Sequence, residues 1–121
     1  MAEDLLVTRV RSQTIPGIEG RSLNSARTNH FIIDDPAYAG GPAEEITAEE
    51  AFLSGVSACA VLLVTRLARQ EGVPLQRVEA EIEGIRSNAD PVNYQAVKLR
   101  FTLAGVDQQQ ADMLVERFKG R

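Results

Sequence analysis

The residue in this sequence best suited to chemistry is Cys59, the one cysteine among 121 residues. A thiolate is a nucleophile and a redox centre, whereas a thiol enclosed by apolar groups behaves as a small hydrophobe. Cys59 lies in the run Ser57-Ala58-Cys59-Ala60-Val61-Leu62, and on an apolar helix the buried reading is the commoner one. A reactive thiolate there needs a nearby cation, because burial disfavours the charged form. The run itself supplies none, since Arg66 lies two turns on. The cation has to come from another element, and Arg21 and Arg27 are the candidates.

Two carboxylates precede the cysteine, Glu49 and Glu50. Glu50 stands three residues after Thr47, the spacing of a capping box, in which it closes the start of a helix. Glu49 has the weaker structural role of a negative charge at a helix N-terminus. At about 100° per residue, Glu49 lies about 80° around the helix from Cys59, and Glu50 lies on the opposite side. Both are nearly three turns away along the axis, so an arginine standing between Glu49 and Cys59 fits the geometry.

Other chemistries find less support. His30 is a lone histidine with no metal partners at ligand spacing. Ser54 and Ser57 sit in no nucleophile elbow or triad pattern. Gly40-Gly41-Pro42 lacks the Lys-Ser/Thr that would make it a phosphate loop. No metal and no cofactor are expected.

The elements that must position these residues follow from pattern. Residues 5–11 alternate as a strand, and Ile15-Pro16-Gly17 reverses the chain. A second strand region runs from Leu23, clearest over residues 29–34, before a Pro- and Gly-rich loop to Ile46. A helix is predicted from Thr47 to about Gln70, with Gly72 at its C-terminal cap and Pro74 beyond. Its first two-thirds are apolar on every side, which predicts enclosure by other structure. Ser54, Gly55, Ser57 and Ala58 would let another backbone approach closely. Residues 78–85 alternate Val78, Ala80, Ile82 and Gly84 against Glu79, Glu81 and Glu83, and residues 96–103 alternate likewise. Asp107 can cap a last helix carrying Ala111, Leu114, Val115 and Phe118. The predicted class is α+β, in the order β-β-α-β-β-α, as a single domain over residues 1–121.

Composition narrows the partners. The chain is 44% apolar and 25% charged with a net charge of -4, an ordinary globular balance. No run of basic residues provides the footprint that nucleic acid or an anionic membrane requires. One cysteine excludes an intramolecular disulfide and a multi-thiolate zinc site, and a lone thiol fits a reducing compartment. The first residues do not read as a secretory leader. The longest nearly apolar run, residues 51–64, falls short of the ~20 residues of a membrane span. A cytoplasmic protein is expected.

Several segments, taken in order, resemble the OsmC/Ohr family. They are Ala26-Arg27-Thr28-Asn29-His30-Phe31-Ile32-Ile33-Asp34-Asp35-Pro36, Gly40-Gly41, Thr47-Ala48-Glu49-Glu50, Ser57-Ala58-Cys59, and Gly72-Val73-Pro74 through Gly84. The resemblance implies an intertwined homodimer, with antiparallel sheets around a long buried central helix that has a twin to bury against. It implies a thiol-dependent peroxidase that reduces organic hydroperoxides in defence against oxidative stress. By position Cys59 matches the peroxidatic cysteine and Glu49 the glutamate that orients an arginine. Arg27 is the better match for that arginine, with Arg21 next. The family's usual Asn-Pro before the glutamates is Thr47-Ala48 here. Its peroxidases also carry a second, resolving cysteine in a Cys-Pro-Val-type segment after the last helix. Here the pattern of residues 114–118 leads to Gly120-Arg121, where the sequence stops, as a truncated chain or a one-cysteine member would. An external thiol or dithiol is then the expected reductant, and a non-catalytic dimer that binds an apolar small molecule is the alternative.

Overall fold

The computed structural model describes residues 4–120. The chain divides after Ala51 into two compact units.

The first unit is a three-stranded antiparallel sheet of β1 (Arg11–Ile15), β2 (Ile18–Ala26) and β3 (Asn29–Asp34), in that spatial order. This is one strand more than expected before the long helix. Residues 23–34 read as one strand region because no Gly or Pro interrupts them. The chain nevertheless reverses at Arg27-Thr28, with Ala26 paired to Asn29. Arg27 makes this possible by adopting a φ of 56°, a left-handed conformation uncommon for a residue with a side chain. The first strand also falls later than predicted. Its length is set by pairing with β2, Arg11 opposite Ser25 through Thr14 opposite Ser22. Leu6, Val7 and Val10 lie outside that ladder, exposed. In the loop after β3, a short 3-10 turn (Ala37–Ala39) ends on Gly40 in the left-handed region. Gly41 then packs so closely on Asp35 that any Cβ would overlap its backbone.

Helix α1 (Ala48–Gln70) starts and stops as its sequence signals require. Glu50 Oε1 accepts from the Thr47 N–H at 2.9 Å, and Thr47 Oγ1 accepts from the Glu50 N–H at 3.1 Å. At the other end the Val73 N–H donates to the Ala68 carbonyl and the Gly72 N–H to that of Arg69, a Schellman closure. At 23 residues the helix is about 34 Å long. By length and composition alone it is long and apolar enough to cross a membrane, although the apolar run within it is shorter; core helices of soluble domains meet the same measure.

In the second unit the C-terminal half of α1 packs with a hairpin and a last helix. Strands β4 (Arg77–Ile85) and β5 (Ala96–Ala104) pair antiparallel. Val78, Ala80, Ile82 and Gly84 oppose Leu103, Phe101, Leu99 and Val97, so one face is apolar. On the other, Glu81 faces Arg100 and Glu83 faces Lys98, the opposite-charge pairing that favours this register. Helix α2 (Gln108–Lys119) begins with a capping box between Asp107 and Gln110. The core gathers Val64, Leu67 and Ala68 of α1 against Leu114 of α2, with Val78, Leu103 and Met113 packed around them. The Phe101 and Phe118 rings meet edge to face at 5.4 Å.

Leu114 is fully buried at the centre of this cluster. Leu114→Ala leaves a cavity there and should lower unfolding free energy by about 2–5 kcal/mol. Urea denaturation followed by circular dichroism measures the loss, and a change below about 1 kcal/mol would contradict the packing described.

Candidate functional site

Cys59 lies on α1 and is exposed, not buried as a small hydrophobe. The enclosure expected of the helix is not completed within one chain. Only Ala60, Val64, Leu67 and Ala68 are buried, all at or beyond the midpoint of α1. Phe52 and Leu62 keep about three-fifths of their surface, 60% and 61%, and Val56 is exposed too. Residues 52, 56, 59 and 62 follow one another at helical spacing, so Cys59 sits within an apolar stripe. One chain supplies apolar neighbours only for the other end of the helix.

Glu49 is half-buried in the first turn of α1, ten residues before Cys59. That separation is about 15 Å along the axis, too far for the carboxylate to touch the sulfur. Glu50 is engaged in the capping box and exposed.

The two arginine candidates have different surroundings. Arg21, on β2, pairs with Asp34 at the end of β3: Nε donates to Oδ1 at 2.7 Å and Nη2 to Oδ2 at 2.8 Å. Nη2 also donates to Glu44 Oε1 at 3.0 Å. Asp34 is wholly buried, with 0% exposure, and its Oδ2 accepts two further bonds, from the backbone N–H groups of Glu44 and Glu45. A buried carboxylate survives only when paired and hydrogen-bonded. The Arg21 fork, seconded by these two N–H groups, holds the Asp34 carboxyl well below the usual carboxylate range, against the opposing effect of burial. The same hydrogen bond to Asp34 raises the Arg21 guanidinium above its ordinary value. Arg21 thus ties the loop after β3 to the sheet.

Arg27 sits at the β2–β3 turn, exposed, and makes no side-chain hydrogen bond or ion pair among the described residues. Its backbone takes a conformation that glycine adopts without cost, yet a long cationic side chain is present. His30 accepts or donates one bond, between Nδ1 and Ser25 Oγ at 2.8 Å. Among the described residues no group of His, Cys, Asp and Glu is arranged to hold a metal.

Sequence reasoning overlooked Asp34. Its signal was an acid closing the apolar run Phe31-Ile32-Ile33, where a charge must be buried or the strand must end.

A family model described as OsmC-like protein matches residues 41–121, more than half of the chain, and the chain belongs to this family. Solved structures agree across nearly the whole length. An OsmC-like protein from Mycoplasma pneumoniae superposes with a TM-score of 0.77 at 13% identity, covering 96% of this chain and 82% of its own. An organic hydroperoxide resistance protein from Legionella pneumophila gives 0.69 at 21% identity, over 98% and 85%. One from Elizabethkingia anophelis gives 0.71 at 16%, over 98% and 85%. At identities this low the likeness establishes the fold. No curated protein matches the chain.

The Arg21–Asp34 pair carries a pH signature. The Asp34 carboxyl is depressed in the folded protein, so its contribution is fully present above its unfolded pKa of about 3.9 and is lost as pH falls below that. Melting temperature should drop steeply below about pH 4. In Asp34→Asn it should start lower at pH 7 and decline less over the acid range. Parallel wild-type and variant curves would disprove the coupling.

Proposed function

We propose that this chain is a thiol-dependent peroxidase that reduces organic hydroperoxides, with Cys59 as the reacting group. One observation carries the reading: in a chain of the OsmC-like family, the single cysteine is exposed on the long helix, ten residues after Glu49. The neighbours described as organic hydroperoxide resistance proteins support the substrate class.

In this reading the Cys59 thiolate attacks the terminal peroxide oxygen. A sulfur–oxygen bond forms as the oxygen–oxygen bond breaks, and the alkoxide leaves and takes up a proton to become the alcohol. Sulfur is oxidised to a sulfenic acid and the peroxide is reduced. A cation favours the thiolate, and Arg27 is assigned that role because Arg21 is already engaged by Asp34 and Glu44. Glu49 is assigned to orient the arginine. An external dithiol is assigned to complete the cycle. One of its thiolates displaces hydroxide from the sulfenic sulfur, giving water and a mixed disulfide. The second thiol then attacks that disulfide, releasing Cys59 and the oxidised dithiol.

The same reading includes a homodimer in the cytoplasm, in which a second copy covers the stripe of Phe52, Val56 and Leu62 and leaves the Cys59 sulfur open to the peroxide. That stripe also motivates the competing reading, a dimer that binds an apolar small molecule without catalysis.

Wild-type protein given cumene hydroperoxide and a dithiol should consume peroxide and yield a trappable sulfenic acid at Cys59. Cys59→Ser should be inert, and Arg27→Gln and Glu49→Gln slower by about 10²-fold. Equal, negligible turnover in wild type and Cys59→Ser, with no adduct, would leave the ligand-binding reading in its place. Sedimentation should show a dimer at micromolar concentration and a monomer for Leu62→Glu; a monomeric wild type would refute the assembly.

A further inference from the structure

Of the four arginines in the first unit, three line one groove. The groove, of about 470 Å³ on the unit's sheet, is lined by Arg9, Arg11 and Arg27 together with His30 and Ser25, with Leu23 and Gln13 alongside. The strand register accounts for this placement. Arg11 stands opposite Ser25, and Ser25 opposite His30, so these three cross the sheet in one row on one face. With strands about 4.8 Å apart, the ends of that row are about 10 Å apart. The next row on the same face is Gln13, Leu23 and Ile32, which is more apolar. Arg27 stands at the turn, two residues beyond Ser25, and Arg9 two residues before Arg11.

Two features of the groove call for an anion. No carboxylate lines it, although the chain carries a net charge of -4. Arg21, Arg77, Arg117 and Lys119 form ion pairs, whereas Arg9, Arg11 and Arg27 form none among the described residues. Gathering like charges without a counter-charge is unfavourable. One of the three, Arg27, is also held in a backbone conformation that favours glycine.

We propose that this groove binds a small phosphomonoester. Guanidinium forks match the terminal oxygens of phosphate in geometry and in charge. A dianion balances most of the positive charge gathered there. The Ser25 hydroxyl and the His30 ring, coupled through Nδ1, add hydrogen-bonding atoms in the middle of the row. Leu23 offers apolar surface to the organic part of the ligand. The volume falls within the range of small-molecule sites, about 300–1,000 Å³, larger than a bare ion requires. The inference does not depend on peroxidase activity. Arg27 figures in both readings, so the test is placed on Arg9 and Arg11.

Isotope-labelled protein is titrated with phenyl phosphate, with phenol as the uncharged control, and amide resonances are followed. The expected result is saturable shifts at Arg11, Ser25 and His30 with phenyl phosphate, none with phenol, and weaker binding as salt is raised. The double variant Arg9→Gln, Arg11→Gln, checked for an unchanged fold by its remaining resonances, should bind at least about tenfold more weakly. Equal shifts from phenol, or equal affinity in the double variant, would overturn the proposal. So would binding only to phosphatidylcholine vesicles containing phosphatidic acid, with none to phenyl phosphate, which would make the site a membrane contact.

Discussion

Helix α1 presents more apolar surface than one chain of this length covers, and much of the structure follows from that imbalance. Its C-terminal half is buried beneath β4, β5 and α2, where Val64, Leu67 and Ala68 meet Leu114. Its N-terminal half keeps Phe52, Val56 and Leu62 in the open. Exposed apolar stripes of this kind mark contact surfaces. Cys59 lies inside the stripe, so any partner or ligand that covers the helix also decides what solvent and substrate reach the sulfur.

Charge in the first unit is divided with similar economy. Asp34 is buried at the end of β3 and must be neutralised, and Arg21 does so through both carboxylate oxygens while reaching Glu44 in the following loop. The loop is held further by backbone bonds from Asp34 to Ile46 and from Asp35 to Gly20. Arg21 is therefore a structural residue whose removal would leave a buried charge alone. Arg27, six residues later on the same hairpin, carries no such duty among the described residues. The stability of the sheet thereby rests on Arg21 and not on Arg27.

Family membership and fold stand on the family match and on superpositions along nearly the whole chain. The peroxidase reading rests on the exposure and spacing of particular residues, and the phosphomonoester groove on the strand register.

What the sequence determined by itself was local. Thr47 with Glu50, Asp107, and Gly72 with Pro74 marked helix ends, because a cap is a bond between residues close in sequence. Alternation placed β4 and β5, because a strand with one covered face repeats every two residues. Cys59 and its spacing from Glu49 were likewise visible at once. What only the tertiary structure decided was non-local. The extra reversal at Arg27 carries no glycine or proline, so it emerged only when β2 and β3 were seen to pair. Which arginine is engaged depended on a carboxylate 13 residues from Arg21. That Arg9 and Arg11 lie near Arg27 depended on the pairing of β1 with β2, which sets Arg11 opposite Ser25. Whether Cys59 is covered depended on where the neighbouring apolar surface ran out. Pairing, burial and charge balance are properties of residues brought together by the fold, and residue order alone does not record them.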